Sequence, residues 1–327
     1  MQTRRRAFWA IVVLAAAGGS AVIMALSMGD VAIPFGQIVS ILFGNGPREM
    51  TTDVVLLLRL PRAVAVFVCG GLLATAGTLL QVLLRNPLAD PYVLGISGGA
   101  AVGALGAMLF GIAPIWVDIA AFTGALLAML LVFGLAHGDG SWTQTRLLLT
   151  GVIIASGCGA LITLMLSLSS DERVHSMLFW LMGDASSVNR PWPAFVVLCC
   201  GLAVILPFAR ELNVLARGEV MALALGVRVR RLRYLLYVVA SLLTATAVTL
   251  IGSVGFVGLV VPHLVRFVVG NDQRILLPAA LLAGGTLLTL ADVAARTLIA
   301  PIQLPVGVLT ALIGVPVFLF LLSRHRR

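Results

Sequence analysis

Apolar runs of roughly 20 residues recur along the chain, separated by short polar segments. Each is long enough for a helix to cross a hydrocarbon core of about 30 Å. The pattern predicts ten spans. The first ends near residue 28, and four more cover about 63–84, 92–110, 114–135 and 147–168. A sixth covers about 193–208, and a seventh begins near 234. It flows without a charge into GSVGFVGLVVPHLVR, where Gly252, Gly255, Gly258 and Pro262 mark the break into a short eighth. The last two cover about 275–298 and 306–322. Residues 29–60 read as an outer segment with a short helix near 37–43, and 169–192 as a partly amphipathic one.

Two spans depart from the plain pattern. Pro87 and Pro91 forbid a continuous helix into the third, where Gly95, Gly99 and Gly103 form a GxxxGxxxG ridge for close helix approach. The eighth is also short and glycine-rich. The two follow spans 2 and 7, so with five spans per half the chain reads as an inverted repeat with broken helices near a pathway.

Composition agrees. The 327 residues are 60% hydrophobic and 11% charged, against about 25% charged in soluble domains. Mean hydropathy is +1.10. The expected fold class is therefore all-α: a polytopic membrane helical bundle forming one domain over 1–327. The TRRRAF segment resembles a twin-arginine signal, but the apolar run behind it is too long for a signal core and reads as an uncleaved span. Cys69, Cys158, Cys199 and Cys200 lie in apolar runs without a CxxC pair and read as buried small hydrophobes.

Charge sets the expected topology. The segments on the side of the termini hold 16 arginines and the opposite side 6, which together make the 22 basic residues. The positive-inside rule then places both termini in the cytoplasm. Every basic residue is arginine. A P-loop needs lysine, so this chain does not hydrolyse ATP by that route. Ionisable residues are nearly absent from span centres: Asp118, Asp292 and Arg296 sit at outer ends, and His263 and Arg266 toward an inner one. That argues against a proton-coupled carrier and against a membrane-embedded hydrolase.

The largest break in the apolar pattern is the cytoplasmic segment 210–233, with six arginines and two glutamates. Within it, Val214–Gly226 reads as one helix or, because Gly218 weakens it, as two short ones. Val214, Leu215, Met221, Ala222 and Leu225 would make one apolar stripe beside Arg217 and Glu219, with Val220, Leu223 and Ala224 opposite. Such a two-faced element reads either as a lipid-surface helix or as a plug for a soluble partner.

Four stretches carry a family resemblance: Arg59–Leu105 (RLPRAVAVFVCGG…), Leu223–Ala245 (LALGVRVRRLRYLLYVVASLLTA), Gly255–Gly270 (GFVGLVVPHLVRFVVG) and Leu304–Leu322 (LPVGVLTALIGVPVFLFLL). Together they are similar to the permease family of ABC importers for iron chelates, haem and cobalamin. The resemblance implies a homodimer of ten-helix subunits in a bacterial inner membrane, two separate ATPase subunits that use the ATP, and a periplasmic substrate-binding protein. It implies no permanently bound cofactor, no metal, no catalytic residue and no nucleic-acid partner; membrane lipid is the remaining contact. Arg59 and Arg62 of RLPR, and Arg296 of ADVAAR, match positions that meet acidic residues of the binding protein. The loop between spans 6 and 7 matches the coupling segment, here Val214, Arg217, Gly218, Glu219, Met221, Ala222, Leu225 and Gly226. Spans 5, 8 and 10 match the pathway, to which span 5 offers Ser156, Thr163 and Ser167. At the outer mouth Arg173 would suit haem propionates and His175 or Met177 its iron; a solvated mouth helix is the plainer reading. Haem is the first expectation, with ferric siderophore and cobalamin as alternatives. A secondary transporter working alone is the competing class.

Overall fold

The computed structural model describes residues 2–29, 32–44, 50–136, 143–186, 188 and 190–324. The expected polar turn after span 4 and the last three residues lie largely outside that set. The described chain is a membrane helical bundle. Seven helices are long and apolar enough to cross a membrane and three shorter apolar ones accompany them. Seven plus three gives the ten expected.

In chain order the helices are α1 (Gln2–Ser27), α2 (Phe35–Leu42), α3 (Met50–Asp53), α4 (Leu60–Leu83), α5 (Ile96–Leu109), α6 (Pro114–Ala136), α7 (Gln144–Leu168) and α8 (Asp171–Met182). Then come α9 (Trp192–Ile205), α10 (Ala209–Leu215), α11 (Glu219–Ala224), α12 (Val229–Ile251), α13 (Val257–Val269), α14 (Gln273–Thr297) and α15 (Val306–Arg324).

Two span starts differ most from expectation. Span 2 does not begin near residue 63: α3, a π-helical stretch Val54–Arg59 and α4 form one continuous helix, Met50–Leu83. Proline just ahead of an apolar run ordinarily marks a helix start. The wider π turn just before Pro61 instead carries the helix past the residue that cannot donate. Span 7 also starts earlier, at Val229. Its first turns take in Arg230 over the Tyr234 ring and Arg233 paired with Glu219 at 2.6 Å.

The core is built around α4, whose most apolar window is 89% buried. It packs against α12, α13, α14 and α9. Lipid tails are as apolar as the side chains, so close packing rather than water exclusion holds such helices together. Glycines set the spacing. A Cβ on Gly70 would lie 2.2 Å from the Gly284 carbonyl oxygen, and one on Gly77 would lie 1.9 Å from that of Gly258. The GxxxGxxxG ridge behaves the same way: Gly99 and Gly103 face the Gly124 and Ala120 carbonyls of α6. At the other end of this layer the buried Tyr237 hydroxyl donates to the Met129 carbonyl at 2.7 Å, pinning α12 to α6.

The two interruptions fall where glycine and proline predicted, and they touch. Before α5, a 3₁₀ turn at Pro91–Leu94 is capped by Asp90, whose Oδ1 accepts from the Tyr92 N–H. Between α12 and α13 the chain breaks at Gly252–Phe256; Gly258 and Pro262 lie inside α13. Gly252 (φ 77°) and Phe256 (φ 68°) both occupy left-handed backbone, a cost that side chains seldom accept. Ser97 and Ser253 share a hydrogen bond at 3.0 Å, and the Val254 N–H donates to the Tyr92 hydroxyl at 2.8 Å. Unwound backbone at membrane depth is tolerable only when protein satisfies it, and the Tyr92 hydroxyl does so for the Val254 N–H of the second break.

Candidate functional site

Arg59, Arg62 and Arg296, expected on the outer side, do not project into solvent. All three sit around the end of α1 and the last turns of α14. Arg59, 8% exposed, donates to the Leu26 and Ser27 carbonyls, and Arg296 donates to those of Ala25 and Met28. Cations thus take the orphan carbonyls at a helix C-terminus, where the macrodipole is negative. Asp292, 1% exposed, stands between the other two charges. It pairs with Arg62 at 2.8 Å and with Arg296 at 3.1 Å, and Arg62 also reaches Gln303. Asp292 was read from sequence only as an outer-end acid; its role as the common counter-ion depends on α4 and α14 being neighbours. Three arginines and one aspartate leave an excess of positive charge. Arg59, Arg62 and Arg296 line a cavity of about 520 Å³ with Met50, Thr51 and Gln303.

The mouth candidates separate. They share α8, but only some of them face outward. Met177 is fully buried among Ala104, Leu105, Val117 and Ala121, and its sulfur accepts from the Ser169 hydroxyl. This corrects its reading as an iron ligand, because the helix turns that face into the bundle. His175 is exposed and rests against the Phe179 ring. The Arg173 guanidinium donates to the Leu109 carbonyl. It lines a cavity of about 400 Å³ that also holds Asp118, Glu172 and Asp184. The chain leaving α8 is fastened to the end of α12 and to the start of α15: the Asp184 N–H donates to the Ile251 carbonyl, and the Val306 N–H to that of Gly183.

Of the long spans, α7 is the most exposed, with 11% of its window buried. Gly151, Ile154, Ala155, Cys158, Ile162 and Met165 make its packed face. Ser156, Thr163 and Ser167 lie on the opposite, exposed face. Their spacing of seven and four keeps them in one row. The Ser156 and Thr163 hydroxyls bond back to carbonyls four residues earlier.

On the other end of the bundle the segment after α9 forms two helices, α10 and α11, divided at Gly218 (φ 132°). The expected single stripe is not formed. Leu215 and Ala222 are buried against the bundle, while Val220 (83%), Leu223 (59%) and Leu225 (61%) are exposed with Met221. The turn at Gly218 changes the helix phase, so the apolar positions divide between an anchor and an outward face. Glu219 is held by Arg233, and Gly226 turns the chain toward α12. Two cavities flank the segment. One, about 600 Å³, is lined by Phe208, Glu211, Leu225, Gly226 and Arg228. The other, about 620 Å³, is lined by Gln81, Arg85, Asn213, Arg217, Arg266, Asp272 and Gln273. Between α4 and α5, protein around Asp90 pushes its carboxyl up to about 6, while the Tyr92 N–H opposes the shift.

Known proteins share this architecture. The model of the FecCD transport family matches residues 14–324. The chain is 45% identical to the cobalamin import system permease BtuC of Halobacterium salinarum, over 85% of this chain and 75% of that one. It is 39% identical to the hemin transport system permease HmuU of Yersinia pestis, over 93% of both. A metal-chelate type ABC transporter solved in an inward-facing conformation superposes with a TM-score of 0.86 at 30% identity, covering 96% of this chain and 98% of that one. The chain belongs to the FecCD transport family and is a multi-pass permease of the ABC importer type.

Proposed function

We propose that two copies of this chain form one translocation pathway in the cytoplasmic membrane, with both termini inside. A separate ATPase drives the pair, and a binding protein on the outer side feeds it. The observation that supports the pairing is the exposed row Ser156, Thr163 and Ser167 on α7. A row of hydroxyls running from the middle of α7 to its end suits a water-bearing conduit better than lipid tails. In this reading α11 seats in the ATPase, which covers Val220, Met221, Leu223 and Leu225. Ala222 and Leu215 anchor it to the bundle, while Val214, Arg217, Gly218, Glu219 and Gly226 set its angle. The excess charge at Arg59, Arg62 and Arg296 steers acidic residues of the binding protein toward the outer cavity.

The cargo in this reading is a bulky metal chelate. One relative is named for cobalamin and another for hemin, so the cobalamin reading has equal support. Burial of Met177 removes one of the side chains that favoured haem. A conduit of hydroxyls and small residues suits a large ligand handed on without tight binding. The test is ATPase stimulation in liposomes holding permease, ATPase and binding protein, with the binding protein loaded with cobalamin, haem or a ferric siderophore. One cargo should stimulate above the empty binding protein. Uptake by the permease without its ATPase would overturn the reading in favour of a secondary transporter.

A further inference from the structure

The cavity beside α10 is chemically unlike the rest of the cytoplasmic end. Arg85 comes from the turn after α4, Arg217 from the turn after α10 and Arg266 from the last turn of α13. Three separate elements therefore aim guanidinium-bearing side chains at one space of about 620 Å³. Asp272 is the acid of the lining, and its carboxylate is occupied: it accepts from the Asn213 side chain and from the Arg274 N–H at the start of α14. Arg266 is steadied by Gln81 at 2.8 Å. The side chains of Arg85 and Arg217 are exposed and make no hydrogen bond or ion pair among the described residues. Gln273, 2% exposed, lines the same cavity with an Oε1 that accepts no hydrogen bond. A buried acceptor without a donor is costly, and so is uncompensated like charge around one space.

We propose that this cavity receives an acidic side chain, with an adjacent N–H for Gln273, from the ATPase subunit. It would be a second anchor beside α11, and the inference rests on the reading of α11 given above. A protein occupant is favoured over a lipid headgroup by position. The floor is made of Gln81 and Gln273, which belong to the bundle interior, and the rim is Arg217, one residue from the Gly218 turn that presents α11. A partner covering the exposed face of α11 therefore reaches the cavity mouth. The apolar face fixes where the ATPase sits, and the arginines reject a partner without the matching acid.

The experiment measures association of the cognate ATPase with the full-length permease in nanodiscs, made once with neutral lipid and once with added anionic lipid. Arg85→Glu together with Arg217→Glu should weaken association about tenfold or more at low salt in both lipids. Alanine at the two positions should flatten the salt dependence. Arg146→Glu, on an exposed residue of α7 outside the cavity, should change little. Both exchanged arginines are exposed, and a monodisperse elution profile checks that the variants fold. Unchanged association in the double variant, with the wild-type complex intact, would overturn the anchor and leave the α11 reading standing. A loss seen only with anionic lipid would overturn it in favour of a headgroup. If the wild-type chain and the ATPase do not associate at all, both this anchor and the α11 reading fall.

Discussion

Ser97 and Ser253, 156 positions apart, share one hydrogen bond of 3.0 Å and tie the interruption before α5 to the one after α12. Neither break is a free hinge: the first is also held by Asp90 and the second by the Tyr92 hydroxyl. Alanine at either serine should cost roughly 1 kcal/mol, the usual net worth of one such bond. The double variant should cost little more than either single one, because both remove the same contact. Thermal unfolding of the purified permease in detergent would measure this, and strict additivity would show that the two serines act separately.

The Arg62–Asp292–Arg296 cluster makes a sharper demand. Asp292→Asn would leave two nearly buried guanidinium groups without their common counter-ion. Breaking a buried pair from one side costs about 3–5 kcal/mol. Folded yield and melting temperature should both fall steeply. A variant with wild-type stability would mean that water compensates the arginines, and the cavity they line would have to be redrawn as open to solvent.

Close glycine contacts give a contrast within one fold. Gly77→Ala places a carbon 1.9 Å from a backbone oxygen of α13, whereas Gly19→Ala meets nothing within 4 Å. The first should abolish the folded, monodisperse protein. The second should be neutral or stabilising by up to about 1 kcal/mol, the helix preference of alanine over glycine. Size-exclusion profiles and melting curves distinguish the two.

At α11, Leu223→Asp changes an exposed residue and should leave the permease folded while cutting ATPase association. Ala222→Pro acts differently, removing the N–H that bonds the Gly218 carbonyl in the first turn of α11. It should uncouple ATP hydrolysis from uptake while the protein still inserts. Normal transport in Ala222→Pro would reject the coupling role.

Asp90 gives a pH dependence with a defined sign. Its carboxyl sits at about 6 in the fold against 3.8 ordinarily, so the folded chain binds the proton more tightly than the unfolded one. Stability therefore falls as pH rises from about 4 through 6. Asp90→Asn keeps the oxygen that accepts from Tyr92 and removes the titration. Its stability relative to wild type should rise across that window, and melting temperatures at pH 4.5 and 7.5 would show it. An unchanged difference would mean that Asp90 is solvated.

Membrane residence, the ten helices and the two interruptions were legible in the sequence because run length, glycine and proline act locally. Contacts across the fold were not. Asp292 lies 230 positions from Arg62, and no local pattern reveals that α14 lies against α4. The helix start at Met50 was hidden because a π turn leaves no compositional mark. Met177 looked like a mouth residue because its segment is amphipathic, and one residue of phase decides whether such a position faces water or the bundle. At α11 the phase change at Gly218 did the same to a stripe that assumed an unbroken helix.

The distribution of burial, with α4 sealed at the centre and α7 bare at the edge, also sets a rule for genetics. With α4 filling the middle of each subunit, the conduit of the proposed pair would be walled by two borrowed edges. Every α7 position would then occur twice around one opening. A mixed population of normal and altered subunits would produce three kinds of transporter, and a single altered edge would show whether passage needs both walls.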